Sequence, residues 1–422
     1  MRRRAVRGAV AVLPLLILVA QTAVGEAVLR TPPPPTPVPP NGSPSPFVSH
    51  LTVPADPERV PTVDAAGVLL VDLGFDQVLF RRAEHRAQPI ASLTKLMTAL
   101  LVLEAERGHL DRLVQVSPDA VFGRRDYGAG STLGLRAGER ISVRSLLAGL
   151  LLGSANDAAE ALAIHEAGSV SAFVDEMNAR ARRLRMRDTR FASPHGLDDR
   201  GRSSAADLLT LLRRVEAIGT FRDLVGRRFA TIPSTSGPER RIQNRNVLLW
   251  LYPGATGAKT GFTAGAGFCL IATAHRGDRT LAAIVLGGGD EVFSDAAALL
   301  NHGFAAYEAR TLVEEREPLG TLTLRGGSVP VVAGTDLVSL VPAGTEPVIE
   351  RHLRSSPNAA YPPPRGADVG TLRVSVGGGV IGQVPVRVGE LAAPPPPPMP
   401  WWARSAAAIA GGVAAAVRAL FT

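Results

Sequence analysis

The sequence predicts an α+β protein in which one antiparallel sheet is assembled from both ends of a segment, around a helical insert, and a small all-β domain follows. Three observations carry this. Apolar strand-like runs near residues 65–85 and again from residue 229 flank a mainly helical stretch. Beyond residue 310 short Val/Leu runs alternate with Gly and Pro turns. The chain has 422 residues, 45% hydrophobic and 20% charged, which is enough for two cores.

The elements follow in chain order. "MRRRAVRGAVAVLPLLILVAQTAVGEA", residues 1–27, has the basic start, apolar run and small-residue end of an export signal. Its apolar run from Ala9 to Val24 approaches spanning length, so an uncleaved anchor is the alternative. Residues 28–57 form a Pro-rich linker that excludes regular structure. In the first domain, 58–310, "AAGVLLVDLG" and "DQVLFRRAEH" read as a hairpin turning near Gly74 and Asp76. Helices are expected from Ser92 to about Glu216, with serine caps before "AADLLTLLRRVEAI". Strands return at Phe229 and include "GFCLIATAHR" and "RTLAAIVLGG"; a helix, "SDAAALLNHGFAAYEA", closes the domain. Residues 311–391 form the β-rich domain and 392–400 a second Pro-rich linker. In 401–422, Trp401 and Trp402 precede an Ala-rich helix. Only thirteen uncharged residues separate Arg404 from Arg418, which favours a helix lying on a membrane surface over one spanning it.

The net charge of +8 is carried by arginines dispersed along the chain, without basic runs interleaved with aromatics, so no nucleic-acid partner is expected. Cys269 is the single cysteine, so no intramolecular disulfide can form. Among 46 Lys and Arg residues only two are lysines, Lys95 and Lys259. A compositional preference for arginine accounts for the missing lysines but not for these two.

Lys95 lies in "PIASLTKLMTAL", where Ile90, Leu93, Leu96, Met97 and Leu100 recur at helical spacing. Ser92 and Lys95, three residues apart, share one helix face. A serine near a helix start can be a nucleophile with a main-chain N–H beside it for an oxyanion. A neutral lysine can take its proton, whereas arginine cannot. Lowering a lysine from about 10.4 to near 7 costs about 4.6 kcal/mol, to be supplied by burial and a second cation. Lys259, in "GAKTGFT" at an expected strand start, is the candidate cation. Gly261 there lets a substrate approach the strand backbone. A third element, Ser154-Ala155-Asn156, lies between them. Singly these motifs are weak; Ser-x-Asn alone mostly marks a helix N-cap. In this order, with both lysines inside them, they form a strong signal.

The ordered triplet Ser92-x-x-Lys95, Ser154-x-Asn156 and Lys259-Thr260-Gly261 resembles that of the serine penicillin-recognising enzymes. "GSTLGLRAGERISVRSLLAGLLLGSANDAAEALA", "FASPHGLDDRGRSSAADLLTLL" and "NRNVLLWLYPGATGAKTGFTAGAGFCLIATA" narrow the resemblance to the D-alanyl-D-alanine carboxypeptidases, the low-molecular-mass penicillin-binding proteins. It covers residues 62–310 closely and the β-rich domain loosely. The resemblance implies a β-lactamase/transpeptidase-like fold and an exported enzyme working at the outer face of the cell membrane or in the cell wall space. Its substrate would be a peptidoglycan stem peptide ending in D-Ala-D-Ala, and β-lactam antibiotics would acylate it. It implies Ser92 as nucleophile, Lys95 as proton acceptor and Ser154 as proton relay. Asn156 would bind the substrate amide, and Lys259, Thr260, Gly261 and Thr263 would line the carboxylate end. The N–H groups of Ser92 and Phe262 would form the oxyanion hole. No metal or cofactor is required.

Many relatives carry an arginine after the Gly-Gly of the following strand, where this chain has Gly287-Gly288-Gly289; carboxylate binding then leans on Thr260, Thr263 or another arginine. His195, in "SPHGLDD", is expected in a turn beside the site rather than as a base. Asp198 and Asp199 lack partners at metal-ligand spacing. Three other readings remain: a β-lactamase, an endopeptidase of peptidoglycan crosslinks, and a non-catalytic penicillin-binding envelope protein. The commonest β-lactamases activate water with a glutamate after the Ser-x-Asn element, and no Glu occurs between Glu176 and Glu216. A binding-only protein has no need of a base lysine.

Overall fold

The computed structural model describes residues 60–121, 131–233, 239–344, 346–359, 361–376 and 378–389. The export signal, both Pro-rich linkers and the C-terminal helix expected from the sequence lie outside the described residues. Among the described residues no helix is long and apolar enough to cross a membrane. The chain divides into two compact units between Ala306 and Tyr307.

The first unit opens with β1 (Gly67–Asp72) and β2 (Gln77–Arg82), the antiparallel hairpin expected. Its turn is tied by Asp72 Oδ1, which accepts from the N–H groups of Gly74 at 2.9 Å and Phe75 at 3.1 Å. The helical insert follows: α1 (Lys95–Ala105), a short hairpin of β3 (Leu113–Gln115) and β4 (Arg140–Ser142), then α2 (Val143–Leu151), α3 (Asn156–Ala167), α4 (Val170–Arg183), α5 (Ala205–Glu216) and α6 (Gly219–Val225). Serines cap three of these helices. Ser142, Ser169 and Ser204 accept from the N–H groups of Ser145, Ala172 and Asp207, respectively. Next come β5 (Phe229–Ile232), β6 (Arg240–Gln243), α7 (Leu248–Leu251), β7 (Ala255–Thr263), β8 (Gly267–Arg276), β9 (Arg279–Gly288) and α8 (Val292–Ala306).

The principal sheet runs β2-β1-β9-β8-β7, antiparallel throughout. Strands from before and after the insert therefore meet at β1 and β9, as expected. β8 and β9 are continuous apolar runs because α8 covers one face and the helical insert the other; Leu270 to Ala274 and Leu281 to Leu286 are buried. β7 lies at the edge. α1 is buried on nearly every side, so its residues are apolar well beyond one stripe. The sequence extended the closing helix to residue 309. It stops at Ala306 because Tyr307 and Glu308 pair with Pro342 and Val341 in the second unit's first sheet.

That second unit contains β10 (Tyr307–Val313), β11 (Pro318–Leu324), β12 (Gly327–Ala333), β13 (Leu337–Pro342), β14 (Ile349–Ser355), β15 (Asp368–Val376) and β16 (Gly379–Val388). β10 pairs with β13, and a five-stranded sheet runs β11-β12-β16-β15-β14. Its core is almost wholly Leu and Val, with period-two burial along β12.

Candidate active site

The sequence places Ser92 on the same α-helix as Lys95. In the structure Ser92 instead belongs to a 3-10 turn, Ala91–Thr94, that leads directly into α1 at Lys95. The tighter turn still stacks residues i and i+3, so the pairing survives. Ala91 takes a left-handed backbone, φ 47°, an arrangement that costs about 1–3 kcal/mol for a non-glycine residue. It is held there from outside. A Cβ on Gly196 would fall 1.9 Å from the carbonyl oxygen of Ala91, so only glycine fits against this turn.

Lys95 is fully buried in the first unit's apolar core. Its Nζ lies 2.9 Å from Ser92 Oγ, 2.8 Å from Asn156 Oδ1 and 2.7 Å from the main-chain oxygen of His195. The last two groups only accept hydrogen bonds. A neutral amine would give them its two hydrogens and turn its lone pair to the Ser92 hydroxyl. Burial, first, and then the charges of Lys259 and Arg245 hold the Lys95 ammonium well below the usual lysine range, while Asp157 opposes them. The amine is thereby set to receive the Ser92 proton.

Ser154 and Asn156 do not serve as caps. The helix they precede begins at Asn156 with Ala155 as N-cap and no side-chain capping bond. Both polar side chains are turned inward: Asn156 to Lys95, and Ser154 Oγ to Lys259 Nζ at 2.9 Å. Ser154, like Ala91, has a positive φ, 58°. Asp157 anchors the approach to this helix by accepting from the N–H groups of Leu133 at 2.9 Å and Leu135 at 3.0 Å.

Lys259 was expected at a strand start; it lies in the middle of β7, paired with Ile271, because the strand begins four residues earlier at Ala255. Fully buried, it donates to the Thr260 carbonyl at 2.8 Å as well as to Ser154. Burial, then the charge of Arg245, lowers its pKa to about 7. At Gly261 the close approach is that of the Ser92 turn: a Cβ there would sit 2.9 Å from Ser92 N. The Ser92 N–H and the edge of β7 at Phe262 are thus brought together. Phe262 packs against Phe268, ring centroids 4.5 Å apart. Thr260 is half-buried on this edge strand, and Thr263 donates its hydroxyl to Asp199 Oδ1 at 2.6 Å.

Sequence reasoning missed two contributors. Arg245 is the third cation; its Nε donates to the Gly153 carbonyl at 3.1 Å. Its flanking asparagines brace it, Asn244 donating to Val225 and Arg227 carbonyls and Asn246 to that of Gly257. An arginine between two asparagines was the only available signal. The other is the His195 carbonyl, which carries no residue signature at all. The His195 ring supports the turn. Nδ1 accepts from Leu197 N at 3.1 Å, which leaves Nε2 to face Glu160 at 3.2 Å, and burial lowers its pKa.

Among the described residues, Glu106, His165 and Glu166 bring ligand-capable atoms within 4.8 Å of one another. His165 and Glu166 lie at the far end of α3, about 14 Å along the helix from Asn156, and Glu106 is the residue that follows α1. Glu106 is paired with Arg112 at 2.8 Å, and the group takes no part in the serine–lysine site.

Residues 54–290 match the family described as D-alanyl-D-alanine carboxypeptidase. The chain is 33% identical over 362 residues to the D-alanyl-D-alanine carboxypeptidase DacC of Escherichia coli, covering 82% of this chain and 88% of that protein. It is also 32% identical over 260 residues to a D-alanyl-D-alanine endopeptidase of Escherichia coli, covering 60% of this chain and 78% of the relative. Among solved structures, penicillin binding protein 6B of Escherichia coli superposes with a TM-score of 0.62 at 31% identity, over 78% of this chain and 96% of that one.

Proposed function

The chain belongs to the D-alanyl-D-alanine carboxypeptidase family of serine peptidases, and from that premise we propose that it removes the terminal D-alanine of peptidoglycan stem pentapeptides through an acyl-enzyme. The observation that carries this reading is the buried Lys95 Nζ, 2.9 Å from Ser92 Oγ with two pure acceptors taking its hydrogens. Ser92 Oγ attacks the carbonyl of the penultimate D-alanine and Lys95 takes its proton. The N–H groups of Ser92 and Phe262 hold the oxyanion. Ser154, backed by Lys259, returns a proton to the leaving amine, and D-alanine departs. Water then adds to the ester, giving up a proton to the same basic network, and Ser92 is released.

Asn156 binds the substrate amide, and Lys259 and Thr260 hold the terminal carboxylate beside Gly261; Thr263, whose hydroxyl is donated to Asp199, lies toward the acyl donor instead. Arg245 adds the positive charge that Gly287-Gly288-Gly289 does not provide. Penicillins would acylate Ser92 in the same way. The protein is read as exported, with residues 1–27 as signal, 58–310 as the catalytic domain and 311–391 as a stand-off or partner-binding platform. Residues 401–422 are read as a helix resting on the membrane surface.

The test is D-alanine release from diacetyl-Lys-D-Ala-D-Ala by the full-length protein, with Ser92→Ala in parallel. Release that disappears in the variant supports the reading. Absence of release with labelled penicillin still attaching to Ser92 transfers the assignment to cleavage of crosslinks. Absence of both defeats the serine–lysine mechanism.

A further inference from the structure

Against the outer end of β7 lies a carboxylate, Asp199, that the reaction proposed above does not use. Lys259, Gly261 and Thr263 lie on one face of this strand, the face against which the Ser92 turn packs. Thr263 is one residue beyond Phe262. Its hydroxyl donates to Asp199 Oδ1 at 2.6 Å and accepts from Ala266 N at 3.0 Å. The other Asp199 oxygen rests over Gly265, where a Cβ would fall 2.2 Å away, so the missing side chain is what lets the carboxylate lie along the strand. The neighbouring Asp198 is occupied by Arg200, whose Nε is 3.0 Å from both its oxygens. Asp199 is exposed and makes no ion pair among the described residues.

The polarity of the substrate gives this carboxylate a place. With the terminal carboxylate at Lys259 and Thr260 and the reacting carbonyl at Ser92 and Phe262, the acyl donor must continue past Phe262 toward Thr263. The leaving side then faces the cations Lys259 and Arg245, and the acyl side faces an anion. We infer that Asp199, positioned by Thr263, forms a subsite for a cationic side chain on the acyl donor: the free ammonium of a diamino residue two positions before the terminal D-alanine. Such a side chain reaches about 6 Å from its Cα, against about 3.3 Å per strand residue. Acylation of that amine in a crosslinked stem removes the charge, so the subsite favours uncrosslinked donors.

The inference rests on the function proposed above, and the experiment separates the two. Full-length protein is given Nα-acetyl-Lys-D-Ala-D-Ala, with its free ε-ammonium, or the diacetyl peptide, which lacks it. The free amine is expected to be preferred about two- to fivefold in kcat/KM, the range of an exposed ion pair, mainly through KM, with the preference shrinking as salt rises from 0.05 to 0.5 M. Asp199→Asn should bring the ratio to about one, and Asp199→Glu should retain part of it. Equal rates for the two peptides, or a ratio unchanged in Asp199→Asn, overturn the subsite while leaving the carboxypeptidase assignment intact. Failure of both peptides to release D-alanine overturns both together.

Discussion

The first unit buries lysines, aspartates, glutamates, an arginine and two histidines beside its apolar core, whereas among the described residues of the second the buried polar side chains are Ser339 and Ser375. The second unit's core, Leu312 to Val386, is a plain Leu/Val interior between sheets. Burying a charge without full compensation is expensive, so its presence in one unit and absence in the other separates a part shaped by chemistry from a part shaped by packing. Of the six non-glycine residues with positive φ among those described, two, Ala91 and Ser154, flank or form the site, and the two depressed lysines lie within it.

The sharpest break of this comparison is Ser92→Ala. D-alanine release should fall by a factor on the order of 10⁴ or more and penicillin labelling should vanish, with little change in thermal unfolding. The converse is Leu372→Ala in the second unit. Removing this buried side chain should cost about 2–5 kcal/mol in that unit's unfolding, read by calorimetry, while penicillin labelling of Ser92 continues.

Stability against pH gives a third contrast. The folded pKa of Lys259, about 7, is below its unfolded value, so between these values the unfolded chain binds more protons and stability rises with pH. The destabilisation is fully present below pH 7 and relieved as pH increases toward 10; Lys95 acts in the same direction. Lys259→Met should flatten this rise in denaturant titrations of the first unit, and the second unit should show no comparable slope. The smallest effect is expected from Arg245→Gln. Its charge lowers both lysines, so its loss should move the acidic limb of the penicillin acylation profile to higher pH.

Where side-chain type carried the information, the sequence was readable. The two lysines marked the site: Lys95 because the proposed base has to lose a proton, which arginine does not do, and Lys259 because it is the one other lysine of the chain. β8 and β9 have the bounds read from their apolar runs. The helix bearing Ser92 was misjudged because a 3-10 turn and the first turn of an α-helix share the i, i+3 pattern. Lys259 was set too near the strand start because "ATGA" has a turn's composition, yet it pairs with β8. The His195 carbonyl was out of reach, since a main-chain acceptor can come from any residue. Arg245 was hidden among forty-four arginines.

The left-handed Ala91 also has a meaning for laboratory evolution. A glycine at that position adopts φ 47° without the steric penalty, so selection for heat resistance alone should be drawn to the residue beside the nucleophile. There, gains in robustness trade against the fixed aim of the Ser92 hydroxyl. A campaign to harden this enzyme does better to leave the turn between Pro89 and Lys95 untouched and to work on the all-β unit instead.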